Sequence, residues 1–219
     1  DAGIVVVASG IVGTNTHRKL DPAEFRGFVL VDEYAPFVFV NGADGKAAQM
    51  FTLAHELAHI WLGSSAAFDL RNLQPADEET EQACNRIAAE FLVPEDRLRE
   101  FWQKVRRHPH PFQGVAREFK VSELVAARRA LDLQLISREE FLEFYRQYVT
   151  GERRRNTRPS EGGNFYATQA LRLGRRFAVA VTHATREMKL SFGEAYRLTG
   201  LYGRSFERFT ERVVGEMPL

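Results

Sequence analysis

The apolar positions change period along the chain, and each change marks an element. Near the start, "GIVVVASGIVG" (residues 3–13) and "GFVLVDEYAPFVFVN" (27–41) are rich in β-branched and aromatic residues, which predicts strands, the second stretch being split by "DEYAP" as in a hairpin or tight loop. "GADG" then breaks the pattern. From Lys46 to about Leu62 the period becomes helical, and Gly63 with Ser64 and Ser65 ends it. A loop over 64–76 closes at Pro75. A second helix is expected from near Asp77, whose acidic cluster suits a positive helix N-terminus, to about Val93, where Pro94 stops it. A third is expected from Pro94 and Glu95, fading in "RRHPHP".

Farther on, "FQGVAREFKV", "SELVAARRALDLQL" and "SREEFLEFYRQYV" predict short helices, the latter two opening on a serine suited to capping. The first two, with the "FKVS" turn between them, have the proportions of a helix-turn-helix. "TGERRRNTRPSEGG" is a linker by composition, and after it "NFYATQALRLGRRFAVAVTHATREM" and "SFGEAYRLTG" predict one long and one short helix. The expected fold class is α+β, with a short β-sheet packed on two helices and a mostly helical region behind. The expected divisions are 1–107, a helix-turn-helix-like 108–150 and a basic helical 151–219.

Composition narrows the classes. The chain has 219 residues, enough to bury a core, and no run approaches the roughly 18 apolar residues that span a bilayer. The apolar opening lacks a basic flank, so a cytoplasmic protein with no membrane partner is expected. It starts at Asp1 rather than methionine, as a segment of a longer protein would. Cys84 is the single cysteine, which excludes an internal disulfide and a multi-cysteine zinc site. The net charge of +1 conceals a gradient: residues 1–100 carry 8 Lys/Arg against 16 Asp/Glu, and residues 150–219 carry 13 against 7. A basic tail fits either intramolecular attraction to the acidic front or a face for nucleic acid or an acidic partner.

The chemistry lies in the first helix, "FTLAHELAHIWLG". His55 and His59, four apart, share one helical face and can direct imidazole nitrogens to one metal ion. Glu56 is rotated by about 100° from His55, beside the ion without having to ligate it. Burying two imidazoles and a carboxylate is costly unless something pairs with them, and a metal meets that need. Zinc would acidify a water, with Glu56 accepting its proton and passing it to the leaving amine of a cleaved peptide. A third ligand is required, and Glu78, Glu79 and Glu81 all stand near the start of the second helix. Glu81 is preferred because Asn85 and Ala88 share its face; Glu78 is the reserve.

These residues resemble a known family. "FTLAHELAHIWLG" followed by "ETEQACNRIAAEFLVP" resembles the ImmA/IrrE family of zinc metallopeptidases, in which H-E-x-x-H precedes a helix carrying E-x-x-(A/C)-N. The resemblance implies a zincin-like fold over 1–107, one zinc ion held by His55, His59 and Glu81, and Glu56 as catalytic base. It further implies a protein substrate, plausibly a repressor or antitoxin, in a stress, toxin-antitoxin or phage-related system. The tail resembles longer members that carry an N-terminal repressor-like helix-turn-helix. The competing reading is a regulatory binding protein that keeps the fold but acts through a cognate regulator, a toxin or nucleic acid, the latter through the helix-turn-helix-like or basic segments.

A peptidase of this type holds its substrate as an added strand on a sheet edge. "PFVFVN", just before the first helix, is the candidate edge, with Phe39, Val40 and Asn41 as candidate substrate contacts. Tyr34, Asn41, His108, His110 and Tyr166 are candidate donors to the tetrahedral intermediate.

Overall fold

The computed structural model describes residues 3–13, 15–63, 78–155, 169 and 172–215. Five strands come first: β1 (Val5–Ser9), β2 (Ile11–Val12), β3 (Asn15–Lys19), β4 (Gly27–Leu30) and β5 (Phe37–Asn41). Six helices follow: α1 (Lys46–Leu62), α2 (Glu78–Leu92), α3 (Glu95–Val105), α4 (Pro111–Phe119), α5 (Glu123–Asp132) and α6 (Arg138–Arg155). Three more close the described chain: α7 (Arg175–Arg186), α8 (Phe192–Thr199) and α9 (Arg204–Gly215). The fold class is α+β.

The main sheet has the order β1-β5-β4. β1 runs parallel to β5, pairing Val5 with Phe37, and β4 runs antiparallel to it, pairing Phe28 with Phe39. This makes β5 the central strand, contrary to its expected place at an edge. Both its sides are paired, and Val40 and Asn41 are buried. The two edges are β1 and β4.

Alternation sets the two sheet faces. Val29, Val38 and Val40 turn inward and pack with Leu53 and Ile60 of α1. The phenylalanines between them turn to the other face, where Phe28 stacks on Phe39 at 5.2 Å. α2 lies along α1, and the buried apolar residues of the pair are small: Ala54 and Ala58 on one, Cys84 and Ala88 on the other. Small side chains let two helices approach closely, which brings their polar residues within reach of one another.

A second core joins α3, α4 and α5 around Leu98, Trp102 and Val115, drawing on residues either side of position 107. Arg129 of α5 ties this unit to α2: its Nε donates to the Val93 carbonyl at 3.1 Å, and its guanidinium pairs with Glu90. A third core joins α7, α8 and α9. It meets the sheet at Gly174, where an added Cβ would lie 2.1 Å from the Val6 carbonyl oxygen of β1. Glycine is therefore required for the approach of α7 to that edge.

Several expected boundaries move. The opening strand is broken into β1 and β2, and β2 pairs with β3, whose "NTHRK" sequence carries no strand periodicity. Residues 150–155 of the expected linker belong to α6. The long helix expected from residue 164 is interrupted at Gly174, and α9 was not expected. The loop over 64–76, the rest of the linker and Tyr166 lie outside the described residues. No helix among the described residues is long and apolar enough to cross a membrane.

Candidate metal centre

The α1 spacing does what helical geometry requires: His55 and His59 project together, ring centroids 4.8 Å apart. Their Nε2 atoms stand 3.1 Å from each other. Glu81 of α2 reaches both, with one carboxylate oxygen 3.2 Å from His55 Nε2 and the other 3.3 Å from His59 Nε2. Among the described residues this is the one cluster of three such side chains disposed to hold a metal ion. Glu81, the preferred acidic candidate on α2, is brought to the histidines.

The separations fit an ion. Donor atoms about 2.0–2.1 Å from a tetrahedral zinc stand about 3.3 Å from one another, and each histidine Nε2 has the other Nε2 and one of the two Glu81 oxygens at about that separation. Two nitrogens and one carboxylate form a donor set suited to zinc, with a fourth position open. Access comes from one side: His59 is fully buried, while the Glu81 side chain keeps 38% of its exposure.

Electrostatics keep the donors in the form a metal needs. Burial, with His55 beside it, lowers the His59 pKa and holds its ring neutral. His55 is oriented from behind by Asn85, one turn beyond Glu81 on α2. The His55 Nδ1–H donates to Asn85 Oδ1 at 3.1 Å, which leaves the Nε2 lone pair turned toward His59 and Glu81.

Glu56 sits next to this cluster but is not one of its donors. It is 4% exposed, and its Oε2 is buried without a hydrogen-bond partner among the described residues. Burial first, and the Glu81 charge second, raise its carboxyl from an ordinary 4.5 to about 8. Cys84 lies on the same helix as Glu81, and burial, with the charges of Glu81 and Glu56, pushes its thiol up to about 11. It therefore stays protonated and packs as an apolar group.

The strand beside Glu56 is β4. A Cβ on Gly27 would lie 3.2 Å from Glu56 Oε1 and 2.5 Å from Thr52 Cγ2, so the absent side chain lets β4 pass directly over this turn of α1. Gly27 was not foreseen, although a lone glycine opening a strand signals close approach. A cleft of about 1100 Å³ lies mainly between α2 and α5, lined by residues such as Asn85, Leu124 and Arg128, and reaches Arg26 next to Gly27 and Phe51 one turn before His55.

Other candidates lie elsewhere. Asn41 is fully buried and structural: its Nδ2 donates to the Phe25 carbonyl at 3.0 Å, its Oδ1 accepts from the Ala43 N–H at 3.0 Å, and its own N–H donates to the Arg26 carbonyl at 2.7 Å. These bonds fix the entry to β4. Tyr34 is 86% exposed on the turn between β4 and β5, and His108 and His110 are exposed between α3 and α4.

A family model described as the IrrE N-terminal-like domain, a peptidase family, matches residues 1–131. A second, described as a domain of unknown function (DUF8813), matches residues 173–212. No curated protein matches the chain.

Proposed function

The chain belongs to the ImmA/IrrE family of metallopeptidases, and from that premise we propose that it is a zinc-dependent endopeptidase of narrow specificity. The observation that carries this reading is the convergence of His55, His59 and Glu81, whose donor atoms stand 3.1–3.3 Å apart, with the buried Glu56 carboxylate, one oxygen of it unpartnered among the described residues, beside them. A site that only stored a metal for structure has no use for an orphaned carboxylate, whose burial is costly.

In this reading His55, His59 and Glu81 hold one zinc ion, and Asn85 fixes the tautomer and ring orientation of His55. Zinc held there supplies Lewis acidity, which polarises a peptide carbonyl and acidifies water. Glu56 Oε2 takes the proton from the attacking water and delivers it to the leaving amine nitrogen.

The substrate strand is assigned to β4. The Asn41 N–H bonds the Arg26 carbonyl, so the antiparallel ladder also closes at Phe28 with Phe39 and at Leu30 with Phe37. The N–H and C=O groups of Gly27 and Val29 therefore point away from β5, toward the open side. An extended peptide paired there runs past Glu56 and the histidines. The role expected of Phe39, Val40 and Asn41 passes to Gly27 and Val29. The substrate class is a regulatory protein with an extended exposed segment, of the repressor or antitoxin kind.

The test is Glu56→Gln in the intact chain. The variant should retain zinc and lose cleavage of the cognate protein. Cleavage at the wild-type rate would refute the assignment.

A further inference from the structure

The helix pairs α4–α5 and α8–α9, each joined by a short turn, differ in what the second helix exposes. In α4–α5 the second helix is enclosed: Ala126, Ala127 and Ala130 are buried. Its arginines are also engaged, Arg128 with Asp132 at 2.9 Å and Arg129 with Glu90 and the Val93 carbonyl. That pair serves the core.

The second pair, α8–α9, is built otherwise. A capping box of Ser191 and Glu194 starts α8. Gly200 ends it in the left-handed region at φ 65°, donating to the Tyr196 carbonyl. The Thr199 hydroxyl donates to the Ala195 carbonyl at 2.7 Å and accepts from the Leu201 N–H at 3.3 Å, which fixes the turn. After it, α9 begins at Arg204. Ala195, Leu201, Phe206, Phe209 and Val213 all point inward and pack with Ala178 and Val181 of α7. This is a three-helix unit with its own core, in which a fixed turn sets α9 against α8.

The inward set leaves the opposite side of α9 to solvent. Arg204, Glu207, Arg208 and Glu211 are exposed there, with Tyr202 at its entry 65% exposed. Arg204 and Arg208, four apart, form the centre of the outward stripe. Over residues 172–215 there are 9 Lys/Arg against 4 Asp/Glu. Two of those acids are occupied, Glu187 with Lys189 at 2.7 Å and Glu194 in the cap.

We infer that α8 and α9 form a helix-turn-helix that binds duplex DNA, with α9 as the helix that enters the major groove. A single projecting helix about 10–12 Å across fits a groove about 12 Å wide. Arg204 and Arg208 present guanidinium groups to guanine edges or phosphates, and Glu207 presents an acceptor to cytosine N4. Arg197, exposed on α8, faces the backbone that the first helix crosses. A convex helix is a poor platform for stacking unpaired bases, which favours duplex DNA over single-stranded RNA. This activity does not depend on peptide cleavage.

The test is fluorescence anisotropy of a labelled mixed-sequence DNA duplex titrated with the full chain at low salt, and again as salt is raised. Saturable binding is expected, weakened about tenfold or more in the R204A/R208A variant, with the salt slope shallower by about 2. R117A on α4 should bind as the wild type does. Both arginines of the variant are exposed, and unchanged far-UV circular dichroism verifies its fold. The inference is overturned if the wild type binds no duplex, as for a face that docks protein, if R204A/R208A binds equally well, or if single-stranded RNA binds more tightly than the duplex.

Discussion

Gly27 and Glu56 are set against each other across the contact between β4 and α1, with room for a hydrogen but not for a methyl group. A Cβ at Gly27 would meet Thr52 Cγ2 at 2.5 Å, the Phe39 carbonyl at 2.8 Å and Glu56 Oε1 at 3.2 Å. Gly27→Ala should therefore push β4 away from α1. Stability should fall by about 1–3 kcal/mol, as for other overpacked contacts, and cleavage should fall by more than the lost folded fraction explains. Chemical denaturation alongside turnover separates the two. Full activity in Gly27→Ala would show that β4 does not lie over the working site.

Asn85 bears on the proposed zinc site through its hydrogen bond with His55. Asn85→Ala should leave the three ligands in place yet weaken zinc affinity by about 10–100-fold, the usual range for losing a partner behind a ligating histidine. Competition against a calibrated chelator measures it. Asn85→Asp, which keeps the acceptor at this position, should recover most of the loss.

The buried Glu56 makes the metal-free protein sensitive to pH. Its folded pKa of about 8 lies above the ordinary 4.5, so between these values the folded state holds a proton that the unfolded state has released. Stability therefore falls as pH rises through that window. Glu56→Gln removes the effect. Thermal melts of metal-free protein should show the variant gaining on the wild type as pH climbs from below 4.5 to above 8. A difference that stays constant across the range would contradict the burial argument.

Much of the centre was legible because its geometry is local. His55 and His59 sit four apart on one helix, and the spacing alone puts them on one face. Glu81 was legible in part, since its α2 neighbours Asn85 and Ala88 mark a helix that meets another closely. Strand order was not legible: "PFVFVN" reads correctly as a strand, but no local feature tells whether its neighbours lie on one side or both. The edge role consequently fell on β5, and Gly27 went unnoticed because its small size matters only once β4 is laid over α1. β3 escaped because "NTHRK" pairs through its backbone with little apolar alternation. The α9 signal was present in Phe206, Phe209 and Val213, which recur at helical spacing, and was masked by the glycines at 200 and 203 before them.

The central claim is that His55, His59 and Glu81 together hold one zinc ion. Elemental analysis of the purified intact chain, of Glu81→Ala and of Glu56→Gln tests it directly. The structure predicts about one zinc per chain in the wild type and in Glu56→Gln, and a sharp loss in Glu81→Ala. Equal zinc in all three would contradict the three-ligand centre, and so would its absence from the wild type after reconstitution.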